Sequence, residues 1–183
     1  ISLLNSQGLT VKFGGLTALS DLNFSLEKGE LLGLIGPNGS GKTTCFNTIT
    51  GIYRQVAGTT SLLGKDITGF APQQIYKCGI TRTFQRLRLA VGLSVFDNLL
   101  IGDSSSLNTS LFFNLFQRSK LKQEIEKKIN KVKKIISVFN PALVDKLYEP
   151  VSKLSMIDRR RIEVCRALIS DPKVLLLDEP SAG

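Results

Sequence analysis

Histidine and tryptophan are absent from these 183 residues, and cysteine and methionine are scarce, at three and one. The three cysteines, Cys45, Cys78 and Cys165, stand at unrelated spacings. They outline neither a metal-binding set nor a disulfide framework, and the expectation is buried, unreactive thiols in a cytosolic protein. No apolar run approaches the roughly 18 residues of a membrane-spanning helix, and no signal-peptide pattern is visible. Internal repeats and low-complexity tracts are missing too. What remains is a globular composition, 42% hydrophobic and 21% charged, long enough for one domain with a full core and an inserted lobe. Bases outnumber acids, 24 against 15, for a net charge of +9. That excess suits an anionic ligand or a surface near anionic lipid, and equally a soluble basic surface, so it selects no function class alone. The chain starts at Ile1 rather than Met and stops at Ser181-Ala182-Gly183, and it reads as a fragment of a longer protein.

The densest information lies in Gly36-Pro37-Asn38-Gly39-Ser40-Gly41-Lys42-Thr43, which fits the phosphate-loop pattern G-x-x-x-x-G-K-[ST]. The apolar run Leu31-Leu32-Gly33-Leu34-Ile35 precedes it and predicts a buried parallel strand. Thr44-Cys45-Phe46-Asn47-Thr48-Ile49 follows and reads as a helix. A triphosphate crowds negative oxygens together. Glycines let backbone N–H groups converge on them, and a helix N-terminus adds a positive dipole end. Lys42 is expected to reach the β- and γ-phosphates and Thr43 to ligate Mg2+. The alternative is a chance glycine-rich turn, which the Lys-Thr pair and both flanks disfavour.

Upstream, Leu9-Thr10-Val11-Lys12-Phe13 alternates apolar and polar, and alternation returns from Leu19 to Leu26. Two half-buried strands flank the Gly14-Gly15 turn. Gly51 is placed as a helix C-terminal cap, residues 58–64 as a strand, residues 71–77 as a short helix with Pro72 in its first turn, and residues 79–85 as a strand ending at Gln85. From Arg86 to Ser155 the alternation disappears. Ser94 starts a capped helix, residues 103–110 form a Ser/Asn-rich loop, and residues 120–140 form an amphipathic helix. Ile125, Ile129, Val132, Ile136 and Phe139 make its apolar stripe. Its lysines read as a solvated face, with a binding surface as the alternative. Residues 159–170 read as a helix that Asp171-Pro172 breaks. Lys173-Val174-Leu175-Leu176-Leu177 then reads as a buried strand ending in Asp178-Glu179-Pro180.

An apolar strand ending in Asp-Glu is what a phosphate-loop ATPase needs opposite its first motif. Asp178 is expected to hold Mg2+ and Glu179 to polarise the attacking water as general base. An acidic surface turn is the alternative, and it weakens once the pair is joined to the loop at residues 36–43.

These stretches, with Phe13-Gly14-Gly15-Leu16-Thr17-Ala18-Leu19, Gly79-Ile80-Thr81-Arg82-Thr83-Phe84-Gln85, Val95-Phe96-Asp97-Asn98-Leu99 and Leu154-Ser155 through Leu168, carry a resemblance over nearly the whole chain. The sequence resembles the nucleotide-binding subunit of ATP-binding-cassette (ABC) transporters, most like the branched-chain amino-acid uptake type. The resemblance implies an α/β P-loop NTPase with a mixed central sheet, an N-terminal antiparallel part and an inserted helical subdomain. The core would comprise residues 1–85 and 156–183 and the helical subdomain residues 86–155, with the C-terminal end of the cassette missing. It implies ATP as substrate with Mg2+. Gly36, Pro37, Asn38, Gly39, Ser40, Gly41, Lys42, Thr43 and Thr44 would bind phosphates, and Phe13 would stack on adenine rather than serve as a core strand residue. Gln85 would sense Mg2+ and the γ-phosphate, and Thr43, Gln85 and Asp178 would form the metal set. Glu179, Lys42 and Gln85 would be the catalytic residues. Implied partners are a second ABC ATPase subunit, as homo- or heterodimer, integral membrane permease subunits and a solute-binding protein, at the cytoplasmic face of a membrane and without nucleic acid.

Two departures qualify the resemblance. The family's Leu-Ser-Gly-Gly-Gln signature stands here as Leu154-Ser155-Met156-Ile157-Asp158. Ser155 would still reach a γ-phosphate in trans, but a β-branched Ile157 hinders close backbone approach. The family's switch histidine lies beyond the Asp-Glu strand and falls past Gly183. The expectation is ATP binding with weak or absent hydrolysis in this chain alone. The alternatives are an ATP-binding regulatory or interaction module, and a soluble cassette acting on nucleic acid, for which the basic charge predicts a steep salt dependence.

Overall fold

A computed structural model describes residues 2–83, 89–102 and 118–178, apart from the side chains of 118–122 and 124. Gln85, Glu179, residues 180–183 and the loop expected at 103–110 lie outside the described residues. The chain divides into two compact units. Residues 1–82 and 173–178 form one, and residues 83–172 and 179–183 form the other.

The first unit opens with β1 (Leu4–Phe13) and β2 (Leu16–Leu26), an antiparallel hairpin pairing Leu4 with Leu26 and Phe13 with Leu16. β3 (Ala57–Leu62) adds to the other edge of β1, and β4 (Lys65–Asp66) closes a sheet of order β2-β1-β3-β4. β1 turns Leu4, Ser6, Leu9 and Val11 inward. The change of parity after Ser6 comes from a register shift between Ser6 and Leu9, the mark of a bulge. A separate parallel pair, β5 (Ile80–Arg82) and β6 (Val174–Leu176), aligns Ile80 with Val174 and Arg82 with Leu176. Ile80, Val174 and Leu176 are buried and Leu175 is half-buried, in keeping with a parallel pair covered on its faces. Helices α1 (Lys42–Ile49) and α2 (Pro72–Cys78) bury Cys45, Ile49 and Ile75 in a core shared with Leu4, Leu9, Val11, Ile80 and Val174. The expected Pro72 helix start is present, sealed by the Gln74 side chain accepting from the Ala71 N–H at 2.9 Å. Gly51 does follow the end of α1, with φ +75.

One strand expectation fails. Residues 31–35 adopt no strand, and Leu31 and Ile35 are 93% and 95% exposed. The run has the right composition, but a strand needs a neighbour for its N–H and C=O groups. Among the described residues no strand pairs with it, since β5 and β6 pair with each other. The expected N-terminal antiparallel part is the four-stranded sheet, and the described residues of the P-loop part contribute the parallel pair β5–β6.

The second unit is helical. α3 (Val95–Gly102), α4 (Arg118–Phe139) and α5 (Met156–Leu168) surround a core of Val95, Leu99, Val132, Ile136, Leu143, Leu147, Ile162 and Cys165. The Ser94 hydroxyl caps α3 by accepting from the Asp97 N–H at 3.1 Å. Buried Asn98 ties down the preceding loop, its amide donating to the Ala90 and Ser94 carbonyls at 3.0 and 2.9 Å. Helix α4 spans the predicted 120–140 stretch, but Ile125 is 45% exposed and leaves the apolar stripe. Helix α5 begins three residues before the expected Arg159 and lies in this unit.

Candidate functional site

The loop at residues 36–43 is built by glycines at two close approaches. A Cβ on Gly36 would lie 2.5 Å from the Ser40 hydroxyl oxygen, and one on Gly41 would lie 2.7 Å from the Ala18 carbonyl oxygen. Gly41 also holds φ +94, a left-handed conformation that favours glycine. It stands at the N-cap of α1 and accepts the first helical bond from the Cys45 N–H at 2.8 Å. Lys42 folds back over the loop, donating to the carbonyls of Gly36 at 2.6 Å and Pro37 at 2.8 Å. Its ammonium thereby closes residues 36–42 into a ring with the charge held over it. No side chain caps α1, and its first turn carries no acid. The first N–H groups of a helix have no intrahelical acceptor, so this end presents positive potential that nothing on the helix neutralises. Thr43 is exposed beside Lys42 and Thr44 is half-buried.

Asp178 follows the end of β6 and is buried. Its Oδ2 accepts from Arg82 on β5 at 2.5 Å, with side chains only 6% and 10% exposed for Arg82 and Asp178. A second nitrogen of the same guanidinium donates to Asn47 Oδ1 on α1 at 2.6 Å. The guanidinium carbon lies 5.4 Å from the Phe46 ring centroid, within reach of a cation–π contact. One arginine therefore joins the helix that follows the phosphate loop to the carboxylate at the end of β6. Phe13 closes β1, 45% exposed, with Tyr53 edge-on at 5.0 Å between ring centroids.

Ser155 lies in the helical unit as the N-cap of α5. Its hydroxyl accepts from the Asp158 N–H at 3.1 Å and donates to Asp158 Oδ2 at 2.9 Å. Asp158 Oδ1 accepts from Asn140 at 3.1 Å and from Arg161 at 2.9 Å. Burial acts to raise the Asp158 pKa, but hydrogen bonds from Asn140, Ser155 and Arg161 and the Arg161 charge outweigh it and hold the carboxyl below its usual range. Arg159 reaches back to the carbonyls of Leu154 at 3.0 Å and Ser152 at 2.6 Å. Met156 and Ile157 are 58% and 65% exposed.

This geometry has counterparts among known proteins. The ABC transporter family profile matches residues 19–182. The chain belongs to the ABC transporter family. It is 36% identical over 181 residues to the high-affinity branched-chain amino acid transport ATP-binding protein LivG of Escherichia coli (strain K12), covering 99% of this chain and 70% of that protein. It is 38% identical over 184 residues to the probable branched-chain amino acid transport ATP-binding protein LivG of Archaeoglobus fulgidus, covering 100% and 69%. The ADP conformation of MJ1267, an ATP-binding cassette of an ABC transporter, superposes with a TM-score of 0.82 at 34% identity, covering all of this chain and 70% of that one.

As an ABC ATPase, the chain binds nucleotide and has an α/β P-loop fold. The first unit holds the loop residues, Phe13 and Asp178, and the second holds Ser155. The sequence reading assigned no role to Arg82, Asn47 or Asp158. The signal for Arg82 is an arginine inside the short Ile80-Thr81-Arg82 strand, where burying a charge demands a partner. Asn47 gives no such signal, because its carbonyl matters only through a strand 35 residues away.

Proposed function

We propose that this chain is the ATP-hydrolysing subunit of an ABC importer for branched-chain or other amino acids. The observation that carries this reading is the loop at residues 36–43, with its glycine-built turns, its lysine cover and the uncapped α1 terminus. The names of the LivG relatives supply the substrate class. Backbone N–H groups of residues 39–44 receive the β- and γ-phosphates, and Lys42 exchanges its loop carbonyls for phosphate oxygens. Phe13, exposed and backed by Tyr53, offers its face to adenine. Glu179 takes a proton from water as the water oxygen attacks the γ-phosphorus and ADP leaves. Gln85 senses Mg2+ and the γ-phosphate and links the core to the helical subdomain.

Thr43 and Asp178 supply hard oxygen donors that fit Mg2+. No group of three or more His, Cys, Asp or Glu side chains that could cage a metal occurs among the described residues. Mg2+ keeps several waters and takes one or two protein oxygens besides substrate phosphates, a demand that a hydroxyl and a carboxylate meet. Bound there, Mg2+ would neutralise charge between the β- and γ-phosphates.

The reading extends to a second ABC ATPase subunit, whose two copies or partners sandwich ATP, to permease subunits gripped by the helical subdomain, and to a solute-binding protein. The chain would act at the cytoplasmic membrane face. No helix among the described residues is long and apolar enough to cross a membrane. The test is Glu179→Gln in the protein assembled with its permease. Expected is retained MgATP binding with turnover down about 10²–10⁴-fold and uptake abolished. Undiminished ATPase activity removes Glu179 as the base.

A second reading, an ATP-binding regulatory module with little hydrolysis, is favoured by the α5 terminus. There Asp158 already occupies the Ser155 hydroxyl that a γ-phosphate in trans would need. Tight ATP binding without turnover, even with the permease present, would select it.

A further inference from the structure

Arg82 is buried in the first unit and takes no part in the hydrolysis proposed above. Its guanidinium spends two nitrogens on two different elements, one on Asp178 Oδ2 at 2.5 Å and one on Asn47 Oδ1 at 2.6 Å. Phe46, the residue before Asn47, lies under its carbon at 5.4 Å. Asn47 and Phe46 thus help hold the guanidinium at the Asp178 carboxylate. A planar guanidinium spans two acceptors in this way, whereas a single ammonium cannot hold both in the same geometry.

We propose that Arg82 is a positioning residue that makes cation binding at Asp178 conditional on nucleotide. The proposal rests on the reading of Asp178 as a Mg2+ ligand. With no nucleotide present, Arg82 serves as the internal counter-ion of Asp178, and a divalent cation arriving alone meets a carboxylate already neutralised. Like charges held a few ångströms apart in a partly buried site repel strongly. When nucleotide is bound, its phosphates add the negative charge that outweighs this repulsion, and the cation enters against a carboxylate whose Oδ2 stays pinned. Asn47 sits on α1, the helix that begins at Lys42, so the tie also registers Asp178 against the phosphate-loop helix.

The test is titration of the protein with Mn2+ alone, and again with ADP present, following free Mn2+ by electron paramagnetic resonance. Arg82→Gln should bind Mn2+ alone about tenfold or more tightly than wild type. The tightening that ADP produces should shrink by a similar factor. Arg82→Lys keeps the charge and should stay within about threefold of wild type without nucleotide. Asn47→Ala removes one of the acceptors that hold the guanidinium and should raise affinity for Mn2+ alone about threefold by loosening the Arg82–Asp178 pair. If Arg82→Gln does not fold, Asn47→Ala carries the test. Unchanged affinity for Mn2+ alone, in folded Arg82→Gln or failing that in Asn47→Ala, overturns the proposal. Asp178→Asn separates the two readings. If it leaves Mn2+ binding with ADP intact, the assignment of Asp178 as ligand fails. If it abolishes that binding while Arg82→Gln behaves as wild type, only the role of Arg82 fails.

Discussion

Two helix N-termini in this chain carry residues proposed to meet nucleotide phosphates, and they are built in opposite ways. Helix α1 starts at Gly41 with no side-chain cap and no acid in its first turn. Helix α5 starts at Ser155, capped by its own hydroxyl, with Asp158 in its first turn. A capped helix has satisfied its N–H groups and offset its dipole internally. An uncapped one keeps both for a ligand. The difference teaches that a motif can survive in letters and still differ in what it offers. Ser155 is present, but its hydrogen bonds go to Asp158. Lys42, by contrast, is parked on loop carbonyls, neutral groups that cannot compete with phosphate for an ammonium.

The acids beside the two helices differ too, and the largest predicted effect breaks that contrast. Asp178 is buried against Arg82, so Arg82→Met should destabilise the first unit by about 3–5 kcal/mol, because it strands a buried charge. The double variant Arg82→Met/Asp178→Asn should recover most of that loss. Denaturant unfolding monitored by circular dichroism checks both. Asp158 belongs to an exposed cap, and Asp158→Ala should cost only about 1 kcal/mol of α5 stability. Equality of the two losses would erase the distinction between a buried tie and a surface cap.

A pH titration sharpens the same contrast at smaller amplitude. Asp158 is held below its usual pKa by its three hydrogen-bond partners, so folding favours its ionised form. Its contribution is fully present above the ordinary carboxylate pKa of about 3.9 and is lost as pH falls through the lowered folded value. The stability gap between wild type and Asp158→Asn should therefore be constant near neutrality and narrow in strong acid. A gap that widens on acidification would reverse the sign of the argument.

The smallest effect concerns the thiols, one buried in each unit's core. Burial pushes Cys45 up to about 11 and Cys165 up to about 12, while Cys78 is half-buried. At pH 8 a thiol reagent should label native protein at Cys78 alone, and all three cysteines after unfolding. Rapid native labelling of Cys45 would show that the core behind the phosphate-loop helix opens readily.

Much of this was legible in the sequence. The loop at residues 36–43 needs particular residues at fixed spacing, and local backbone sterics enforce that pattern wherever it occurs. The β1–β2 hairpin, the α2 start at Pro72 and the Gly51 stop are also local and were foreseen. What escaped depends on partners distant in sequence. Residues 31–35 have the apolar content of a strand, but pairing decides strand formation, and composition does not report a neighbour. Arg82, Asn47 and Asp178 meet across 35 and 96 residues of chain, and no periodicity encodes that meeting. The three-residue spacing of Ser155 and Asp158 is itself a local capping signal, legible without any distant partner.

Phosphate recognition by a single copy of this chain is expected at the α1 terminus and not at the α5 terminus. Equilibrium binding of a fluorescent ATP analogue to wild type, Lys42→Ala and Ser155→Ala tests it in one experiment. Lys42→Ala should weaken binding about a hundredfold, the loss of a charge-assisted bond of about 3 kcal/mol. Ser155→Ala should bind as wild type does when the protein is monomeric. Wild-type affinity in Lys42→Ala, or an equal loss in Ser155→Ala, would contradict the account.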